Sequence, residues 1–495
     1  MKHLLLPLCV FTWSSFIKAQ EPVFAWSRAE SKPSTQVDVK ILGYDGQGYY
    51  LLTKKPPAAN EFSSSLFIDY FNNKNERVFS VNITPSNQYD YVNVLYIKSR
   101  PYLFTSLFSK EAGKNVLYST EIKPDGSRGN PVELMSMDAD RLASRGRFEL
   151  AASPDGSKLL VMAQPDFRKN ENEKNQLSLF NSGFEKIWNT VQIFPYEWKR
   201  SVDNSVFIND QGTVFILKRT GAKNYAPVYS VFSFDGKDLK EFKIETGEKK
   251  KILSISQAFS SNGDFAVAGY YSETGNISVT IGIPSHGSYV YRIDSTGSSL
   301  IFSAVNPFEK RKDLVLKKIL FHQSNIVLLG EVYWASSGSV KRDPNPYNLS
   351  TNVTQDNTYY GKDIWLDGFD EKGKPLYNTS IEKDNTSKND NGTGVSYFGA
   401  LVNGKIVVIY NDFGYKYDGK KHVAVAMPSK IPVMSYVDAQ TGSLIKTIGL
   451  FNSDGVGGRS GDMLMRPDVF LRADETHYII RAENILNYKM GIISF

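Results

Sequence analysis

The stretch 151-AASPDGSKLLVMA-163 places a small polar turn, Ser153-Pro154-Asp155-Gly156-Ser157, between two apolar runs. Asp-Gly supplies the positive φ that a tight hairpin turn demands. The form recurs down the chain. It appears at 43-GYDGQGYYLL-52, 122-IKPDGSRGNPVEL-134, 206-VFINDQGTVFIL-217, 232-FSFDGKDLKEF-242, 258-AFSSNGDFAVAGY-270, 292-RIDSTGSSLIF-302, 368-GFDEKGKPLYN-378 and 436-YVDAQTGSLIKTI-448. The flanks alternate apolar and polar residues, as in 213-TVFILKR-219 and 405-KIVVIYN-411, which is the period of a strand.

The turns are of two alternating kinds. One is followed by a run such as Leu159-Leu160-Val161 or Phe265-Ala266-Val267 and reads as a buried, inner hairpin. The other, as at Asp235 and Asp438, leads into a strand carrying Lys or Glu and reads as half exposed. One of each makes a four-stranded antiparallel unit. Units begin near residues 38, 91, 146, 201, 252, 317, 397 and 468. Such a unit cannot bury both faces alone, and stacking around an axis solves this. The expected fold is therefore all-β, a seven- or eight-bladed β-propeller. The last unit, 468–495, has room for three strands only, and 22-PVFAWSRA-29 can supply the fourth, closing the ring with both chain ends. Helix is scarce; 132-VELMSMDADRLASR-145 is the one segment expected to form a short one.

The composition agrees. Of 495 residues, 28 are Tyr and 30 Phe, which suit a pleated, half-buried surface. Residues 1–19 (Lys2, an apolar run from Leu4 to Phe16, then Ile17-Lys18-Ala19) have the pattern of a secretory signal peptide, leaving 20–495 as a single domain. The one Cys, Cys9, lies inside that leader, which excludes a thiol nucleophile or thiolate metal site from the remainder. No later apolar run is long enough to span a bilayer. The basic clusters 249–251 and Lys310-Arg311-Lys312 with Lys317-Lys318 are separate and flanked by acids, so they read as solvated loop charge, with no nucleic-acid stripe.

The turn Ser-Pro-Asp-Gly-Ser-Lys-Leu-Leu-Val at 153–161 resembles the repeat signature of the TolB-like and WD40-like β-propellers of bacterial envelopes. Looser matches stand at 209–215 and 260–267. The leader and the wealth of Asn, Lys and Tyr are similar in style to exported proteins of the Bacteroidota. The resemblance implies an exported protein, in the periplasm or at the outer membrane. It also implies a non-catalytic role: binding a protein partner as an accessory subunit of an envelope secretion, assembly or uptake complex.

Catalytic constellations are sparse. His286, His322, His422 and His477 stand in no zinc-binding spacing. No nucleophile elbow exists; 457-GGRSGD-462 lacks the final glycine. No cofactor is implied. The segment 384-DNTSKNDNGTG-394 offers oxygen ligands for calcium but misses the EF-hand register. Asp363, Asp367 and Asp370 near Trp365 raise an alternative, a polysaccharide lyase or hydrolase, or a glycan-binding module, with its site at the channel; the simpler expectation is that they end a strand and cap a turn.

Two segments interrupt the pattern, 335–363 and 410–433. Long loops in compact domains are often functional, and Tyr and Trp suit binding surfaces. The expected partner-binding residues are Tyr333, Trp334, Tyr359 and Tyr360 at the first segment and Tyr415 and Tyr417 at the second. Arg459, Met463 and Arg466 join them from the glycine-bearing loop 452–468.

Overall fold

The computed structural model describes residues 22–32, 38–55, 64–166, 170–197, 201–221, 227–248, 250–273, 282–341, 354–390, 392–417, 419, 429–450, 456 and 463–495. The expected leader 1–19, Arg459 and His422 lie outside them. Eight antiparallel sheets, each built on four strands, stand in a ring. In each of the first seven, the strands follow chain order from the axis outward. Their inner strands are Asp38–Tyr44, Asp90–Ile97, Arg147–Ala152, Ser201–Ile208, Lys251–Phe259, Leu314–His322 and Tyr397–Val402; that of blade 8 is Leu464–Arg472. The expected unit starts fall within a few residues of these. Inner strands of neighbouring blades touch along most of the ring, those of blades 8 and 1 included.

Blade 8 settles the number of blades at eight. Its chain-terminal strands Leu464–Arg472, His477–Glu483 and Asn487–Ser494 are completed by Val23–Trp26, in a register that runs from Val23 opposite Ser494 to Trp26 opposite Gly491. Glu30–Ser31 also pairs with the start of Asn487–Ser494.

The core is a ring of eight clusters, one between each pair of neighbouring blades. Middle strands carry most of it: Phe265–Ser272 is buried along its whole length, whereas the outer strand Arg77–Asn82 alternates between exposed and half-buried. Close packing fixes particular glycines. A Cβ on Gly269 would lie 1.8 Å from the Ser254 carbonyl oxygen and 2.5 Å from the Tyr289 hydroxyl.

The helix expected over 132–145 is absent. Val132–Asp138 is the outer strand of blade 2, and only Leu142–Ser144 forms a 3-10 turn. Leu134, Met135 and Met137 are buried when the segment pairs with Lys114–Glu121, and that burial outweighs local propensity. The basic cluster at 310–318 is not a solvated loop either. Arg311 is at the end of the outer strand Leu300–Lys312, stacked 3.6 Å over Trp365, and Lys318 lies on the inner strand Leu314–His322.

Candidate functional site

In a four-stranded meander the turns from strand one to two and three to four share one end, and the remaining connections share the other. The propeller therefore has an inner-turn end and an insertion end.

The insertions are at the second end. In blade 6 the second and third strands, Asn325–Lys341 and Thr354–Phe369, overrun the inner strand. Pairing with the inner strand stops at Val332 opposite Leu314, while pairing between the two long strands continues to Lys341 opposite Thr354. Much of 335–363 is thus an extended ribbon, because its residues continue the ladder. Trp334 and Tyr360 face each other across it, stacked with ring centroids 4.6 Å apart and planes 6° from parallel. Both are half-buried. Tyr333 turns to the blade's own body: Lys317 Nζ lies 4.1 Å from its ring centroid, and burial raises its hydroxyl pKa. Tyr359 pairs with Ser387 of the outer strand Pro375–Lys388.

In blade 7 the second strand Lys405–Phe413 runs into a 3-10 turn, Gly414–Lys416. Tyr415 is exposed and stacks 5.9 Å from Phe413. The Tyr417 hydroxyl donates to the fully buried Asp412 carboxylate at 2.8 Å, and burial raises its pKa. Met463 and Arg466 are buried. Met463 packs in the core between blades 7 and 8. Arg466 donates to Asp468 at 2.7 and 2.8 Å and to Glu483 at 2.7 Å. The predicted residues therefore separate into an exposed or half-buried group on blades 6 and 7 and a buried pair on blade 8.

Glu483 is the hub of ring closure. It accepts from Arg466, from Arg481 Nε at 3.0 Å, and from Lys32 Nζ of the N-terminal segment at 2.6 Å. Burial would raise its pKa, but these cations hold it at about 2.

The carboxylates considered for sugar cleavage do not meet in the channel. Asp363 and Asp367 lie within a third strand rather than at its end, because that strand continues through both. Asp367 is buried between blades 5 and 6, accepting from the Tyr270 hydroxyl at 3.1 Å and from Asn378; burial raises its pKa against the pull of Arg311. Asp370 does cap the following turn, accepting from the Lys372 and Lys374 amides at 2.9 and 2.8 Å. In the acidic segment 384–394, Asp384 pairs with Lys362, and Asp390 accepts from Ser387 at 2.6 Å and the Gly392 amide at 2.9 Å. Among the described residues no group of three His, Cys, Asp or Glu is placed to hold a metal ion.

The inner-turn end carries a feature that no sequence motif announces. A cavity of about 810 Å3 opens at the mouth of the channel. It is bounded by inner strands and inner turns of blades 3 to 8, Pro154 of the 153–157 turn among them. That turn is tied to its neighbours. The Ser153 hydroxyl and the Ser157 amide donate to Asp155 at 2.6 and 2.9 Å. The Asp155 amide donates to Asp210 of blade 4 at 3.0 Å, and the Lys98 amide of blade 2 donates to the Gly156 carbonyl at 3.3 Å. Gly156 adopts φ 68°, as the turn chemistry requires. On the far wall stand Lys318 of blade 6, Phe398 of blade 7, and Phe470 and Tyr478 of blade 8.

The sequence matches no protein-family profile and no curated protein. Solved structures similar to it include propeller domains and enzymes of several kinds. The β-propeller domain of the Trilobed protease from Pyrococcus furiosus is 11% identical, over 86% of this chain and 96% of that one, at a TM-score of 0.36. The WD40 domain of SCAP from fission yeast is 8% identical over 95% and 98%, at 0.38. The polysaccharide lyase Uly1 is 9% identical over 95% and 99%, also at 0.38. Likeness at this level assigns no activity, and the functions of these neighbours are mixed. The propeller itself rests on this chain's own strand order.

Proposed function

We propose that the protein is a non-catalytic binding propeller that acts outside the cytoplasm, as an accessory subunit of an outer-membrane envelope complex, and that blade 6 presents the protein partner with its overrunning ribbon. The observation that carries the reading is the Trp334–Tyr360 stack on strands that continue past the end of the inner strand of their blade. Tyr360 also pairs with Thr386 of the outer strand, which steadies the stack, and a Trp and a Tyr held rigid by stacking present a large area at low entropic cost. The exposed Tyr415 at the same end extends the surface. The leader-like start and the resemblance to TolB-like propellers support the location. Among the described residues no helix is long and apolar enough to cross a membrane.

The test is native purification of the tagged full-length chain in mild detergent, with mass spectrometry of co-purifying proteins. Stoichiometric recovery of an envelope protein, lost in Trp334→Ala/Tyr360→Ala while the melting temperature is unchanged, is the expected result. Recovery of the chain alone, or equal recovery by the double variant, overturns the reading.

A further inference from the structure

Two cations line the cavity at the inner-turn end: Arg472, which is exposed and donates to the Asp474 carbonyl at 2.9 Å, and Lys318, which is half-buried. Lys318 follows a bulge in its strand, where the register with Asn325–Lys341 shifts between Leu316 and Lys318. The bulge re-aims the residue, and its ammonium comes to stand 4.6 Å from the ring centroid of Phe398. Phe398 is in turn stacked on Phe470, centroids 4.0 Å apart, and meets Tyr478 edge-on at 5.6 Å. Among the described residues the Lys318 ammonium has no carboxylate or hydrogen-bond acceptor. Two carboxylates line the same cavity, Asp210 and Glu475, but Asp210 is engaged by the 153–157 turn, and neither forms an ion pair with Lys318. Burial alone lowers the Lys318 pKa to about 8, with no nearby charge acting on it.

Buried cations are ordinarily paired, and elsewhere in this ring they are. Lys383 pairs with Glu331, Arg292 with Asp264 at 2.7 Å, and Arg481 with Glu483. Lys318 is half-buried and, among the described residues, lacks such a partner where it lines the cavity. An ammonium offers three donors and no acceptor, so the complement is an anion. The wall is mixed: Asn209, Ser260, Gln323 and Asn403 are polar, and the apolar part, Ile319, Phe398, Leu401 and Phe470, lies on blades 6 to 8, where Lys318 also stands. That part favours an apolar body, with one charged group fixing its orientation.

We propose that this cavity is a binding site for a small organic monocarboxylate, its carboxylate accepting from Lys318 and its apolar or aromatic body lying against Phe398 and Phe470. The site is at the opposite end of the ring from the blade 6 ribbon, so the two proposals stand or fall separately.

Benzoate is the probe, with benzamide as its uncharged counterpart and inorganic phosphate as a bare anion. Calorimetric titration of the full-length protein should show one saturable benzoate site and no benzamide site. Affinity should fall about tenfold or more in Lys318→Gln, the loss of one charge-assisted hydrogen bond. A second measurement needs no variant: benzoate should slow acetylation of Lys318 by acetic anhydride, followed by peptide mass spectrometry, and benzamide should not. The proposal is overturned if benzamide binds as benzoate does, if Lys318→Gln binds benzoate as the wild type does, or if phosphate protects Lys318 as well as benzoate.

Discussion

Replacing Glu483 by Gln keeps the side chain's shape, removes its charge and turns one of its two acceptor oxygens into an NH2 donor. Arg466, Arg481 and Lys32 then converge on a neutral amide, with Arg466 and Arg481 both buried. The carboxyl titrates at about 2 in the folded protein against an ordinary 4.5. At about 1.4 kcal/mol per tenfold change in proton affinity, the charge stabilises the fold by about 3 kcal/mol. Breaking a buried ion cluster by removing one partner costs about 3–5 kcal/mol, so the two routes agree. For 495 residues, the unfolding entropy is about 1 kcal/mol/K. Glu483→Gln should therefore lower the melting temperature by roughly 3 °C at pH 7. The sign with pH follows from the depressed carboxyl. The unfolded chain takes up the proton near 4.5 and the folded one only near 2, so the stabilisation is complete above that window and lost as pH falls through it. Differential scanning fluorimetry of wild type and variant from pH 7 to pH 2.5 reads both effects. A variant melting within a degree of wild type at pH 7, or a gap that stays constant down to pH 2.5, would refute the argument.

Three further outcomes follow. Gly269→Ala forces a Cβ onto the Ser254 carbonyl and should cost about 3 kcal/mol, read from the urea midpoint at unchanged slope. Lys318→Met removes a desolvated charge whose pKa stands near 8 instead of 10.5. It should therefore raise stability by about 2–3 kcal/mol at pH 7, a gain that shrinks as pH rises from 8 to 10.5, where the unfolded lysine also loses its proton; melting curves at pH 7 and pH 10.5 check it. Tyr417→Phe leaves the buried Asp412 without its 2.8 Å hydroxyl donor and should cost about 1–2 kcal/mol in the same urea titration.

What could be read from the sequence was what is local. Each blade is two hairpins within a short span, and turns such as 153–157 and 235–238 carry their own chemistry, so the blade starts are nearly right. The closing strand was legible because three strands at 464–494 leave one edge open and 22–29 is a strand pattern without a partner nearby. Segment 132–145 failed because Leu134 and Met137 stand at a helical spacing of three while Met135 and Met137 stand at a strand spacing of two, and the available edge of Lys114–Glu121 decides between them. Lys318 was misread for a related reason. Next to Lys317 it looks like surface charge, and only the ring brings it over Phe398, which is distant in the chain. Arg466 looked like a contact residue in a glycine-bearing loop, but its carboxylate partner Glu483 belongs to the next strand. The cavity, shared among six blades, has no signature in any one of them.

The pairing of Val23–Trp26 with Asn487–Ser494 also sets an order of events in time. Seven blades find all four of their strands within one neighbourhood and can form as the chain lengthens. The strand at 23–26 is among the first to be made, yet it has no partner until residues 487–494 exist. Through that interval the face of blade 1 that carries Tyr49, Leu51 and Phe71 waits uncovered, and an uncovered apolar face is where misassembly begins. Once the last strand arrives, blade 8 has its fourth strand and the ring is closed by the two ends together. A protein assembled this way is vulnerable while it is being made and slow to come apart afterwards.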